Sequence, residues 1–262
     1  MKNKPYTIAV LTDLKDPNRH LLKNGIGLAK KLGGEIALLH VKKPADVVRS
    51  ENALSARRSM HATYVQTDNA LMQLSRELSG KHGIPVRHTV AVGNIKQEIN
   101  DFLDAVKPDV IVLGKRKPQA FGLLGDRVTD FVLNRFDTPV MIASETVSLH
   151  PDQSPAIGQL NGDGSVLQSH LAAKLMEQTE HPLVTFRFVS GTELPAPEVT
   201  PAPAPKIEYV FDSNANARNN LARYISKCKL DVLFTERKPA KHWNRIAKAL
   251  KNSRTSVLMA NG

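Results

Sequence analysis

Apolar residues along the chain alternate between short continuous runs and longer stretches with helical spacing. Tyr6–Leu11 is a β-prone run that stops at Thr12-Asp13, residues suited to turns and helix caps. Leu21, Leu22, Gly25, Ile26, Leu28, Ala29 and Leu32 then form one face of a helix, which Gly33-Gly34 ends. Ile36–Val41 predicts a second strand, the segment from Ala53 to Ser79 a long polar helix, and Val86–Val92 a third strand. After the Gly93-Asn94 turn, Ile95, Ile99, Phe102, Leu103 and Val106 line an amphipathic helix. Val110–Leu113 is a fourth strand, Val128, Phe131, Val132 and Phe136 mark a helix, and Pro139–Ala143 is a fifth strand. Strands joined by helical crossovers imply a parallel, doubly wound α/β sheet.

The remainder repeats this plan in shorter form. Ala156–Leu160 predicts a strand, followed by a turn at Asn161–Ser165 with Asp163 or Ser165 as cap, though its amides could also nest an anion. Leu167, Leu171 and Leu175 predict one helix, and Leu183–Val189 and Lys206–Phe211 two strands. Leu221, Tyr224, Ile225 and Cys228 mark a helix in which Cys228 reads as a buried thiol. Val232–Phe234, a helix with Trp243, Ile246, Ala247 and Leu250, and Ser256–Ala260 close the series. Arg116-Lys117-Pro118 returns as Arg237-Lys238-Pro239, and Thr138–Ala143 returns as Thr255–Ala260, which argues for duplication. The predicted domains are residues 1–146 and 152–262. In the second, the connector 190–205 contains five prolines and replaces the long helix, so one sheet face should lack its cover.

Composition narrows the class of partner. The net charge is +11, and residues 206–262 carry twelve Lys/Arg against four Asp/Glu. Lys238, Lys241, Arg245 and Lys248 follow helical spacing, but no aromatic platform alternates with them, so a solvated helix face is preferred to a nucleic-acid stripe. No apolar run is long enough for a membrane helix, and no apolar leader follows the charges of Met1–Pro5, so the chain is expected to be cytoplasmic. One cysteine excludes a disulfide framework and a multi-cysteine metal site. No nucleophile elbow, complete Walker A or zinc-protease motif is present, and no catalytic residues are predicted.

The first half resembles a universal stress protein domain. The resemblance rests on Thr12-Asp13 after the first strand, Leu32-Gly33-Gly34, Leu38-Leu39-His40-Val41, Val92-Gly93-Asn94, Asp109–Gly114 and Asp137-Thr138-Pro139-Val140. It covers residues 5–144 well and 155–260 weakly. The resemblance implies two adenine-nucleotide alpha hydrolase-like repeats with strand order 3-2-1-4-5, the second degenerate. In that order the switch point lies between the first and fourth strands, where such sheets bind ligands.

Many members of that family hold ATP in this crevice through a glycine-rich stretch after the fourth strand. The cofactor-binding positions implied here are Thr12, Asp13, Val41, Gly114, Lys115, Gly125 and Asp126. The pattern is altered, because Lys117 takes the second glycine's place, the spacing to Gly125 is two residues short, and Asp126 replaces a hydroxyl residue. Asp126 suits a helix start but repels phosphate, while Lys115, Arg116 and Lys117 offer compensating charge. The plainer readings make Asp13 a helix cap and His40 a hydrogen-bonded core histidine. In the second half Thr235-Glu236-Arg237 replaces the glycine start.

These readings converge on a non-enzymatic stress-response protein acting through partner or small-ligand binding, with no cofactor. Its repeats would pair through their fifth strands as an intramolecular pseudo-dimer, and the chain could further form a homodimer or meet a protein partner. The alternative is an ATP- or AMP-binding signalling module using the first crevice.

Overall fold

The computed structural model describes residues 4–14, 19–44, 53–115, 127–161, 165–189, 205–212, 217–237, 250 and 253–261. The N-terminal half comprises β1 (Thr7–Thr12), α1 (His20–Leu32), β2 (Glu35–Lys42), α2 (Ala53–His82), β3 (Val86–Val92), α3 (Ile95–Val106), β4 (Val110–Gly114), α4 (Arg127–Arg135) and β5 (Val140–Ala143). The C-terminal half comprises β6 (Ile157–Leu160), α5 (Ser165–Gln168), α6 (His170–Met176), β7 (Leu183–Val189), β8 (Lys206–Asp212), α7 (Ala217–Cys228), β9 (Val232–Glu236) and β10 (Ser256–Ala260). All ten strands form one sheet in the order β3-β2-β1-β4-β5-β10-β9-β6-β7-β8. The first half therefore has the order 3-2-1-4-5, and the second half winds the same way read from its other end.

Every neighbouring pair is parallel except β5 and β10, which meet antiparallel with Met141 opposite Leu258. Strand pleating sends alternate side chains to two cores. Ile8, Val10, Val110, Val112 and Met141 face α1 and α2, and Ala9, Ile111, Leu113 and Ile142 face α3 and α4. Burial on both faces explains the continuous apolar runs of the central strands. α1 ends at Gly33, whose φ of 65° lets its N–H reach the Ala29 and Lys30 carbonyls. At the start of α3, the Asn94 side chain accepts from the Lys96 and Gln97 N–H groups.

The segment 144–156 between the halves lies along α1. Asn24, fully buried, donates to the Val147 carbonyl and accepts from Leu149 N–H and Ser256 Oγ. A Cβ on Gly27 would stand 2.0 Å from the Leu149 carbonyl oxygen, so only glycine permits this contact. Buried Lys31 donates to Gln153 O at 2.6 Å, and burial lowers its pKa. From the other half, Lys174 of α6 and Gln178 just beyond it bond the Leu32 and Lys31 carbonyls at the end of α1.

Several expectations need adjustment. The single helix through Leu167, Leu171 and Leu175 is two, because Ser169 interrupts it and caps α6 through a bond from Ala172 N–H. Asp13 does not cap α1, which begins seven residues later at His20 behind Arg19. Cys228 is only partly buried. The helix carrying Trp243, Lys241, Arg245 and Lys248, the Gly162–Gly164 turn and the connector 190–204 lie outside the described residues.

Candidate functional site

Adjacent ends of β1, β2 and β4 form the crevice of the first half. Thr12 is buried, and its Oγ1 accepts from the N–H of Leu14, whose φ of 60° turns the chain away from the sheet. His40 on β2 is level with Thr12, and its Nδ1 lies 2.9 Å from the Thr12 carbonyl. Donation to that oxygen places the ring proton on Nδ1. Burial pushes the imidazole below its ordinary pKa, against the opposing effect of the Thr12 carbonyl. Asp13 is exposed at the mouth, and Val41 and Gly114 are half-buried beside it. The structure thus brings Thr12, Asp13, Val41 and Gly114 to neighbouring strand ends. Arg116, Lys117, Gly125 and Asp126 lie outside the described residues.

Lys115 has a different destination. Its Nζ donates to the Leu250 carbonyl and, at 3.2 Å, to the Ser253 carbonyl, both in the other half. Burial lowers the pKa of this ammonium, and nearby Glu145 partly offsets that. Arg237, the residue after β9, makes the reciprocal reach. Its guanidinium donates to the carbonyls of Phe136 and Thr138, and to Leu133 O at 3.1 Å and Val132 O at 3.4 Å. Burial lowers its pKa as well. Val132 and Leu133 lie in the last turn of α4 and Phe136 and Thr138 just beyond it, where a cation also complements the helix dipole.

Strand registers make the two reaches equivalent. Val110 pairs with Ile8, and Val232 with Ile157, so Lys115 and Arg237 each stand five residues beyond matching positions. Ile111 is level with Val140 and Val232 with Ser256, so Ser256 takes the place of Pro139. Leu250 and Ser253 precede Ser256 by six and three residues, as Leu133 and Phe136 precede Pro139. The sequence likeness between Arg116-Lys117-Pro118 and Arg237-Lys238-Pro239 is therefore one residue out of structural register. A cation after each fourth strand is the sequence signal that corresponds to these two reaches.

The second half differs at the positions that match Thr12 and Val41. Asn161 stands where Thr12 stands in the first half, and Phe188 where Val41 stands. Asn161 Oδ1 accepts from the Phe188 N–H at 2.9 Å, occupying that backbone donor. An open hollow of about 500 Å³ is lined by Lys96 of α3 and by Asp130, Phe131, Asn134 and Arg135 of α4. Among the described residues no cluster of three His, Cys, Asp or Glu could hold a metal, and no helix is long and apolar enough to cross a membrane.

Solved structures share this architecture across nearly the whole chain. A universal stress protein from Archaeoglobus fulgidus superposes with a TM-score of 0.73 at 12% identity, covering 98% of this chain and 97% of that one. A putative universal stress protein from Pseudomonas aeruginosa gives 0.55 at 14% identity, covering 97% and 92%. The cytoplasmic domain of a prokaryotic cation chloride cotransporter gives 0.54 at 13% identity, covering 98% and 95%. These likenesses establish the fold. A comparison with curated proteins gives no match. The sequence model of the universal stress protein family matches residues 6–144, more than half of the chain, and the chain belongs to that family.

Proposed function

We propose that this universal stress protein acts in the cytoplasm by binding, without turnover, as two repeats (1–146 and 152–262) joined into an intramolecular pseudo-dimer. The observation that carries the reading is the reciprocal pair Lys115 and Arg237. The cation that follows each fourth strand bonds backbone carbonyls of the other half, so Lys115 is committed to the joint and not to a phosphate. A protein partner or small ligand is then the object of binding.

A second reading, an ATP- or AMP-binding module, is favoured by the convergence of Thr12, Asp13, Val41 and Gly114 at the switch point. Calorimetric titration with magnesium ATP and with AMP separates the two. No heat up to millimolar nucleotide is the outcome expected of the partner-binding reading. Micromolar binding at one site per chain, weakened by Asp13→Ala, establishes the nucleotide module instead.

A further inference from the structure

The sequence sets no aromatic platform beside its basic runs, yet the fold assembles one at the far end of the sheet. β7 contributes Phe186 and Phe188, β8 contributes Tyr209 and Phe211, and α7 contributes Tyr224, together three of the chain's eight phenylalanines and two of its four tyrosines. The Tyr224 ring stands 5.1 Å from Tyr209 and 5.6 Å, edge-on, from Phe211. Phe188 stands 5.6 Å from Phe211, and Phe186 stacks on Tyr209 at 5.6 Å. Phe186 is fully buried, and the other four are only half-buried. The fold does not need these rings. Strand registers match Phe186, Phe188, Tyr209 and Phe211 to Leu39, Val41, Thr89 and Ala91, so the first half builds the same sheet positions without an aromatic residue.

Positive charge accompanies the rings. On α7, the exposed Arg223 and Lys227 lie 5.8 Å and 5.9 Å from the centre of the Tyr224 ring. α7 contains no Asp or Glu, and β8 turns Ile207, Tyr209 and Phe211 to this face. Glu208 turns to the opposite face, where it pairs with Arg187.

We propose that this face of β8 and α7 binds single-stranded nucleic acid, with bases stacking against Tyr209, Phe211 and Tyr224 and phosphates meeting Arg223 and Lys227. Each nucleotide of a single strand offers a flat ring and an anion together, whereas an acidic peptide offers only the charge. A duplex keeps its base faces stacked and has none to offer. The net charge of +11 adds a longer-range attraction for a polyanion. The surface is separate from the first crevice, because β8 stands seven places from β1 in the sheet. It also stands apart from the joint at β5 and β10.

Fluorescence anisotropy of the full chain with a labelled RNA single strand of about twelve nucleotides tests this. Micromolar binding at low salt is expected, weakening as salt rises. Arg223→Gln and Lys227→Gln each remove an exposed charge, so each should melt like wild type and flatten the logarithmic salt slope by about 0.7. Tyr209→Thr installs the residue that the first half carries at that position and should weaken binding roughly tenfold. The same strand in a duplex should bind more weakly than it does alone, and magnesium ATP should not displace it. No binding up to submillimolar protein overturns the proposal. So does a strand that all three variants hold as tightly as wild type, or one bound no better than its duplex. A strand released by magnesium ATP or by Asp13→Ala lies in the first crevice, which overturns it as well.

Discussion

β3 and β8 occupy matching places in the two halves, yet they live in different surroundings. On the face that α2 covers, Val90 of β3 is 7% exposed, while Val210, at the corresponding position of β8, is 41% exposed. His88 bonds an aspartate of α2, whereas its counterpart Glu208 pairs with Arg187 of the neighbouring strand at 3.2 Å. Deeper in the same face, Gln159 and Thr185 stand where the first half has Val10 and Leu38. Gln159 Nε2 and Thr185 Oγ1 are buried without a hydrogen-bond partner among the described residues. The winding of the sheet has thus been kept while the apolar chemistry of one face has been loosened. The central strands and the joint keep the strand order of the first half.

The largest effect should come from the joint. Arg237→Met leaves helix-end carbonyls unpaired and should cost about 3 kcal/mol, since hydrogen bonds to charged groups contribute about 1.5–3 kcal/mol. Scanning calorimetry should register a fall of close to 10 °C for a chain of this size. Lys115→Met, with fewer acceptors, should cost less, about 2 kcal/mol. A smaller contrast separates the two faces. Val90→Ala should destabilise by about 2 kcal/mol in urea titration, and Val210→Ala by no more than about 0.5 kcal/mol. Equal losses would mean that β8 is as well covered as β3. Replacing the partnerless amide should work the other way, with Gln159→Leu raising stability by about 1 kcal/mol by removing a buried unsatisfied donor.

The smallest effect is on pH dependence. His40 has its folded pKa depressed by burial, so below about pH 6.5 the unfolded chain binds more protons than the folded one. Stability therefore rises with pH through that window and is lost as the pH falls through it toward the folded value. His40→Gln should flatten the slope in urea titrations. Some slope of the same sign should persist from His82, whose pKa is also lowered by burial.

Much of the fold was legible because its signals are local and repeated. Asn94 before an apolar stripe marks α3, and Val110–Leu113 between helical stretches marks a central parallel strand. Those signals place Thr12, Asp13, Val41 and Gly114 on one crevice. What could not be read was the direction of long side chains across the joint. Lys115 sits in a run of basic residues that looks like anion chemistry, and only the antiparallel meeting of β5 and β10 brings it to Leu250 and Ser253. The break at Ser169 was hidden because Leu167, Leu171 and Leu175 keep helical spacing across it.

The most direct test of the account is whether the halves unfold as one unit. A joint built from β5–β10, Lys115, Arg237 and the 144–156 segment predicts a single calorimetric transition whose van't Hoff and calorimetric enthalpies agree. It also predicts that Arg237→Met lowers that whole transition. Two separate transitions in the wild type, with Arg237→Met moving one or neither, would contradict it.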